Sequence, residues 1–250
     1  MAIERSQAVV LDVMDHGESD KIVTLYTPAA GKLAGIAKGA KRSRKRFVNK
    51  LEIFSWLDLI YNTRRSSSLV MLDEADLLDP FIALRQEYDL YAAASLVSQL
   101  VLYWTRENDP DPDLFALLLD ALRNLSRQGD PLRTLVLFHI RLLTLAGYQP
   151  HLEGCMTCGR LDPGGAPFVF HAGRGGMLCR FCHGPGGGLV VPLSLATARL
   201  LHSAQHLPPD RLGRLRFAAP SLREAAILLR KYGENLLQRE LAAWKYIRLP

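Results

Sequence analysis

The 250-residue chain is 48% hydrophobic and 22% charged, with a mean hydropathy of +0.03, a globular composition with enough apolar residues for ordinary cores and two or three small domains. Its 31 Lys and Arg against 25 Asp and Glu leave a formal charge of +6, a balance that favours polyanionic partners. The longest apolar stretch, 132–147, is broken by Arg133, His139 and Arg141 and is too short and polar to span a bilayer.

Taken in order, the chain opens on Met1-Ala-Ile-Glu-Arg-Ser, with no apolar run behind a basic start. It is therefore read as lacking a signal peptide, and a soluble cytoplasmic protein is expected. Residues 7–14, 21–27, 32–38, 54–61 and 67–77 are rich in Val, Ile and Leu or alternate polar with apolar, as half-buried strands do. The turn His16-Gly17-Glu18-Ser19-Asp20, then Pro28 and Gly31, and then Asn62-Thr-Arg-Arg-Ser punctuate them. Five short strands in about seventy residues predict a small closed or nearly closed barrel, which removes exposed strand edges.

The connection 39–52 falls between the third and fourth strands. Residues 32–50 hold Lys32, Lys38, Lys41, Arg42, Arg44, Lys45, Arg46 and Lys50 and no acid. Arg and Lys at this density can neutralise phosphates and release counterions, giving affinity without sequence preference. A barrel carrying such a loop suits single strands, whose bases stack on aromatic rings. Tyr26, Phe47 and Trp56 are candidate stacking residues, although burial in the barrel is the favoured reading for Trp56.

Beyond Asp79-Pro80 the period becomes helical, with Tyr88, Tyr91, Ala92, Ser95, Leu96, Gln99, Leu100 and Tyr103 at three-to-four spacing. Asp113 is expected to cap a helix through Leu125, and Asp130-Pro131 to open another ending near Gly147. Ser194 should cap a later helix, and Ser221-Leu-Arg-Glu224 reads as a capping box opening the last one. Asp109, Asp111, Asp113 and Asp120 imitate the spacing of a calcium loop, but Leu114 replaces its essential Gly. Gly31-Lys-Leu-Ala-Gly35 and Gly35-Ile-Ala-Lys-Gly39 do not continue as G-K-[ST] into a helix, so no phosphate-binding loop is indicated. Asp73, Glu74, Asp76 and Asp79 could be imagined as the metal site of a nuclease, although acids at a strand end more often face solvent.

All four cysteines occur as two C-x-x-C pairs, Cys155/Cys158 and Cys179/Cys182, separated by twenty residues that include Pro163, Gly164, Gly165, Gly173, Gly175 and Gly176. Two facing knuckles supply the four thiolates that one structural Zn²⁺ ion prefers. Disulfides, a redox site and an iron–sulfur centre compete less well. His183 could replace a ligand, but four thiolates complete the set. The expected domains are a barrel over 1–79, helices over 80–150, a zinc-binding subdomain over 151–188, and further helices over 189–250. The stretch 211–250 is basic again.

The run Glu18-Ser-Asp-Lys-Ile-Val-Thr-Leu-Tyr-Thr-Pro28, followed by Gly31-Lys-Leu-Ala-Gly-Ile-Ala-Lys-Gly-Ala-Lys41, resembles the N-terminal signature of the bacterial RecO recombination mediators. The helical middle, the two C-x-x-C pairs and the helical end match in order, so the resemblance spans the chain. It implies an α+β protein: an N-terminal OB-fold, a helical domain and an inserted four-cysteine zinc-binding subdomain. It implies a non-enzymatic protein that binds single- and double-stranded DNA and anneals complementary strands without ATP. With RecR it would help load RecA onto DNA coated by the single-strand-binding protein SSB. It would contact the acidic C-terminal tail of SSB through a basic site, for which Arg residues of 211–239 are candidates. The DNA-binding role carries over to Lys38, Lys41, Arg42, Arg44, Lys45 and Arg46, the metal role to Cys155, Cys158, Cys179 and Cys182, and the location to the nucleoid-associated cytoplasm. The other readings are a zinc-ribbon nucleic-acid adaptor in transcription or translation, and a metal-dependent nuclease using the acids of 73–79.

Overall fold

The computed structural model describes residues 2–63, 69–162, 166–184 and 188–250. The end of the expected turn 62–66, the start of the strand expected from Ser67, Pro163 to Gly165, and the centre of the loop 184–188 lie outside them. Residues Met1–Gly129 and Asp130–Pro250 form two compact units.

The first unit contains a closed five-stranded barrel in the order β1-β2-β3-β5-β4. The strands are β1 (Ala2–His16), β2 (Asp20–Thr27), β3 (Gly31–Ala37), β4 (Trp56–Thr63) and β5 (Val70–Asp79). β1 serves two partners: residues 2–9 pair with β4, and residues 9–16 pair with β2. A bulge between Val10 and Asp12 lets the strand bend between them. The barrel closes where β3 runs parallel to β5 at Gly35↔Val70 and Ile36↔Met71. Alternation along β3 buries Leu33 and Ala37 with Val10, Val23, Leu25, Leu57, Leu59 and Leu72. This is the barrel expected from the strand pattern, and the OB-like architecture that the family resemblance implies.

Around the barrel lie α1 (Ala83–Gln86), α2 (Tyr88–Trp104) and α3 (Pro112–Ser126), with α2 against β1 and α3 against β2. The cap of α3 is Asp111 rather than Asp113: its side chain accepts from the Leu114 N–H at 2.9 Å. Pro112, with φ already set for a helix and no N–H to satisfy, takes the first position. The apparent calcium loop is thus helix-cap chemistry. Gly31, at φ +67, fits where a Cβ would stand 2.1 Å from the Asp109 carbonyl oxygen, so the chain before α3 passes directly over it.

The second unit is built on α4 (Pro131–Leu145), a three-stranded sheet of β6 (Phe168–His171), β7 (Gly176–Leu178) and β8 (Val190–Leu193), and then α5 (Leu195–His206), α6 (Pro209–Leu212) and α7 (Ala219–Leu237). The sheet order is β7-β6-β8. α4, α5 and α7 pack on one another, and α7 also meets β8. Asp130 caps α4 through the Arg133 N–H at 3.0 Å, and Ser194 caps α5 through the Thr197 N–H at 3.2 Å. The expected capping box at Ser221 does not form. α7 begins earlier, at Ala219 with Pro220 in its first turn, and Glu224 instead accepts from the Ser194 hydroxyl at 2.6 Å. The carboxylate therefore joins two helices rather than closing its own.

His139, on α4, is fully buried between Trp244 and Gly233, and neither ring nitrogen has a hydrogen-bond partner among the described residues. Burial alone pushes its pKa down from 6.5 to about 3. Between those values the unfolded chain binds a proton that the folded one refuses, so stability is full above pH 6.5 and declines as pH falls. The decline between pH 7.5 and pH 5 should be about 2 kcal/mol at 1.36 kcal/mol per pKa unit. His139→Leu, which leaves no polar atom unpaired, should flatten that acid limb in urea unfolding curves. Parallel limbs in both proteins would assign the acid sensitivity elsewhere.

Candidate nucleic-acid interface and metal centre

The basic connection of the barrel is shaped by its own apolar residues. Ala40, Phe47 and Leu51 are buried in the barrel's apolar cluster, which anchors the loop at three points. The polar residues between them are left outside. At its start Gly39, at φ +68, donates its N–H to Asp20 at 2.8 Å, and the Lys41 N–H reaches the Ser19 carbonyl at 2.9 Å. The Gly39 N–H, then the Ser19 hydroxyl, hold the Asp20 carboxyl below the usual carboxylate range. The loop base is thus pinned to the turn between β1 and β2.

Lys38, Lys41, Arg42, Arg44, Lys45 and Arg46 all lie on this loop with their charged ends toward solvent to differing degrees, and they are not equally available. Lys41 meets Asp15 at 3.1 Å and the Gly17 carbonyl at 3.0 Å. Arg42 faces Glu18 at 3.8 Å, and Arg46 donates to the Lys38 carbonyl at 3.3 Å while its guanidinium lies 5.2 Å from the Phe47 ring. Arg44 and Lys45 have no hydrogen bond or ion pair among the described residues. Exposed pairs of this kind are weak and give way readily to a phosphate. Two basic residues of the same run are structural instead. Lys32 donates to the Leu102 and Thr105 carbonyls at 2.8 and 2.6 Å, and Lys50 to the Ala75 carbonyl at 2.6 Å.

The expected stacking residues are corrected. Tyr26 is completely buried and Phe47 nearly so, so neither offers a free ring face. Trp56 has the Arg123 guanidinium 4.7 Å from its ring. The barrel's apolar cluster claimed Phe47, Tyr26 is buried outside that cluster near Asp109 and Asp111, and the loop is cationic without an aromatic platform of its own. The acids of 73–79 do not converge among the described residues. Asp73 accepts from the Asn62 amide, Asp76 pairs with Lys50 at 3.2 Å, and Asp79 caps the turn at Phe81.

In the second unit the four cysteine sulfurs lie within 4.8 Å of one another. A tetrahedral ion bound at about 2.3 Å needs sulfur–sulfur edges of about 3.8 Å, and Cys158 and Cys179 stand at 3.8 Å. Each knuckle is closed by backbone. The Cys155 N–H donates to the Arg160 carbonyl and Gly159 returns to the Cys155 carbonyl, while Cys182 and His183 both donate to the Cys179 carbonyl. Burial would raise the Cys155 thiol, but N–H groups of Cys179, Cys158 and Thr157 bring it down to about 6. Cys182, hydrogen-bonded first to Cys158, is pushed up to about 12. A site that stabilises one thiolate this strongly while crowding a fourth thiol is suited to a cation, which resolves both.

Two further features had little sequence signal. Phe181, in the second knuckle, is 59% exposed, with the Arg160 and Arg180 guanidiniums 4.8 and 4.5 Å from its ring. A cleft of about 280 Å³ opens between α7 and the C-terminal stretch, with Ala226, Ile227, Trp244 and Ile247 in its wall and Arg230, Lys231 and Lys245 around it. Arg230 and Lys245 share Glu240, whereas Lys231 has no ion-pair partner among the described residues.

The family description "Recombination protein O N terminal" matches residues 1–81, and "Recombination protein O C terminal" matches residues 85–245. The chain is 37% identical over 248 residues to a "DNA repair protein RecO" of Syntrophobacter fumaroxidans, covering 99% of this chain and 98% of that one. It is 34% identical over 248 residues to the protein of the same description in Syntrophus aciditrophicus (98% and 95% covered). With that of Anaeromyxobacter dehalogenans it shares 36% over 239 residues (96% and 93% covered).

Proposed function

The chain belongs to the RecO family of DNA repair proteins, and from that membership we propose that it is a recombination mediator that anneals complementary single strands without ATP. The observation that carries the reading is the basic loop: Lys38, Lys41, Arg42, Arg44, Lys45 and Arg46 on one connection, anchored by Ala40, Phe47 and Leu51. Annealing brings two polyanions together. A sequence-blind cationic surface screens their repulsion, and base pairing then supplies the free energy. No catalytic residue is needed.

With RecR, the protein would help load RecA onto SSB-coated single strands. The cleft beside α7 suits an acidic tail such as that of SSB, because its cationic rim surrounds an apolar wall. We assign the four cysteines to one structural Zn²⁺, since four thiolates leave no open position for a substrate. Zinc there would hold the two knuckles together. Among the described residues no helix is long and apolar enough to cross a membrane, and a nucleoid-associated cytoplasmic location follows from the proposed work on DNA.

The test is annealing of complementary oligonucleotides without nucleotide cofactor, with and without SSB coating. The mediator should accelerate duplex formation at least about tenfold over the uncatalysed rate at low salt, and the acceleration should fade as salt rises. Tight DNA binding without acceleration would favour a zinc-ribbon adaptor. Strand cleavage on adding Mg²⁺ or Mn²⁺ would favour a nuclease.

A further inference from the structure

Outside the four cysteines, a second set of metal-ligating side chains converges in the same unit. Glu153 lies two residues before Cys155, on the segment that enters the cysteine region, whereas His202 and His206 lie one turn apart on α5, the helix that leaves it. Each of the three offers one ligand atom within 4.8 Å of the others. His202 Nε2 stands 3.9 Å from a Glu153 carboxylate oxygen, and the two imidazole centroids are 4.6 Å apart.

We propose that Glu153, His202 and His206 form a second metal site, for a divalent first-row ion of the Zn²⁺ class, that ties the entry of the cysteine region to the helix at its exit. Residues four apart on a helix share one face, so the chain spacing alone aims both imidazoles the same way. Two neutral imidazoles and one carboxylate select Zn²⁺, Co²⁺, Ni²⁺ or Cu²⁺ over Mg²⁺ or Ca²⁺, which prefer all-oxygen sets. Nitrogen and oxygen ligands bound at about 2.0–2.1 Å in a tetrahedron stand about 3.3 Å apart. Glu153 and His206 are exposed and His202 is half-buried, so small side-chain rotations close the remaining distance. The Gln149 amide nitrogen lies 3.3 Å from His206 Nε2 and can only donate to it, so it competes with an ion for that lone pair and is displaced where Nε2 ligates.

Three protein ligands leave a position open to water, so the ion would bind more weakly than at the four thiolates and would exchange. Its effect would be conditional: with the ion present, the cysteine region is fastened at its base as well as at its tip.

Full-length protein carrying one tightly held Zn²⁺ should be dialysed against a graded series of free Zn²⁺ concentrations, and metal counted per chain. The wild type should hold two ions. His202→Ala/His206→Ala should hold one, and Glu153→Gln should hold a second only at higher free Zn²⁺. Alanine is well accepted on a helix, so the double variant should fold with its first ion in place. In melts, added Zn²⁺ should raise the wild-type transition and leave the double variant unchanged. A wild type that stays at one ion, or a double variant that still takes up two, overturns the site.

Discussion

Reversing Arg42, Arg44 and Arg46 to Glu should lower affinity for a single strand about a hundredfold near 0.1 M salt and flatten the slope of log K against log salt by about two units. The size follows from counterion release, at about 0.7 unit for each single-strand phosphate that the protein no longer neutralises. The three side chains point away from the barrel and the anchors Ala40, Phe47 and Leu51 are untouched, so the loop should keep its place. Single reversals should be graded. Arg44→Glu and Lys45→Glu remove cations with no competing partner among the described residues, whereas Lys41 already spends part of its charge on Asp15 and the Gly17 carbonyl. Lys50→Met should behave differently again, lowering stability by removing the bond to Ala75 while leaving the salt slope alone. Anisotropy titrations across a salt series read all of these. An unchanged slope in the triple variant would remove the loop from the interface.

Strand positions were legible where a strand buries one face, because the period-two pattern is then imposed by the core. β2, β3 and β4 fall close to where that pattern predicts them. The start of β1 carried no such signal: Ala2 to Arg5 are exposed, and their pairing with β4 is held by the backbone ladder and by Arg5 against Asp58 at 2.6 Å. Aromatic residues misled for a related reason. Composition places Tyr26 and Phe47 beside a basic run but cannot say which side of the pleat or loop they occupy: the barrel's apolar cluster took Phe47, and Tyr26 is buried outside that cluster, near Asp109 and Asp111.

Charge was legible as a cluster but not residue by residue. Lys32 and Lys50 read like their neighbours, yet their ammonium groups are drawn onto backbone carbonyls 70 and 25 residues away. Capping followed the same logic. Asp130 and Ser194 act within their own helices, which local sequence encodes. Glu224 answers a donor 30 residues upstream, and no local rule contains that. The Glu153, His202 and His206 set was half visible: the i,i+4 histidine pair is in the sequence, and the carboxylate arrives only through the fold.

Replacing Cys155 and Cys158 with Ser should release the Zn²⁺ proposed for the four cysteines and lower the melting transition by about 10 °C, taking a loss of about 3 kcal/mol at a few degrees per kcal/mol. The knuckles sit beside a small sheet whose buried side chains include Phe168, Phe170, Met177, Leu178 and Leu193, and the ion would add to that packing. Cys155 and Cys179 are buried, whereas Cys158 is exposed, and the three strands beside them are only three or four residues long. Serine cannot supply a thiolate, so the remaining Cys179 and Cys182 would hold metal weakly. The bundle of α4, α5 and α7 has its own packed interior, including Leu135, Val136, Leu201, Leu228 and Leu229, so the chain should lose stability rather than its whole fold. Because the basic loop belongs to the other compact unit, its salt-dependent DNA binding should persist below the new transition. Metal content, melting and anisotropy on the same preparation separate the cases. A variant that melts as the wild type does but no longer binds DNA would turn the cysteine centre from a clip into part of the interface.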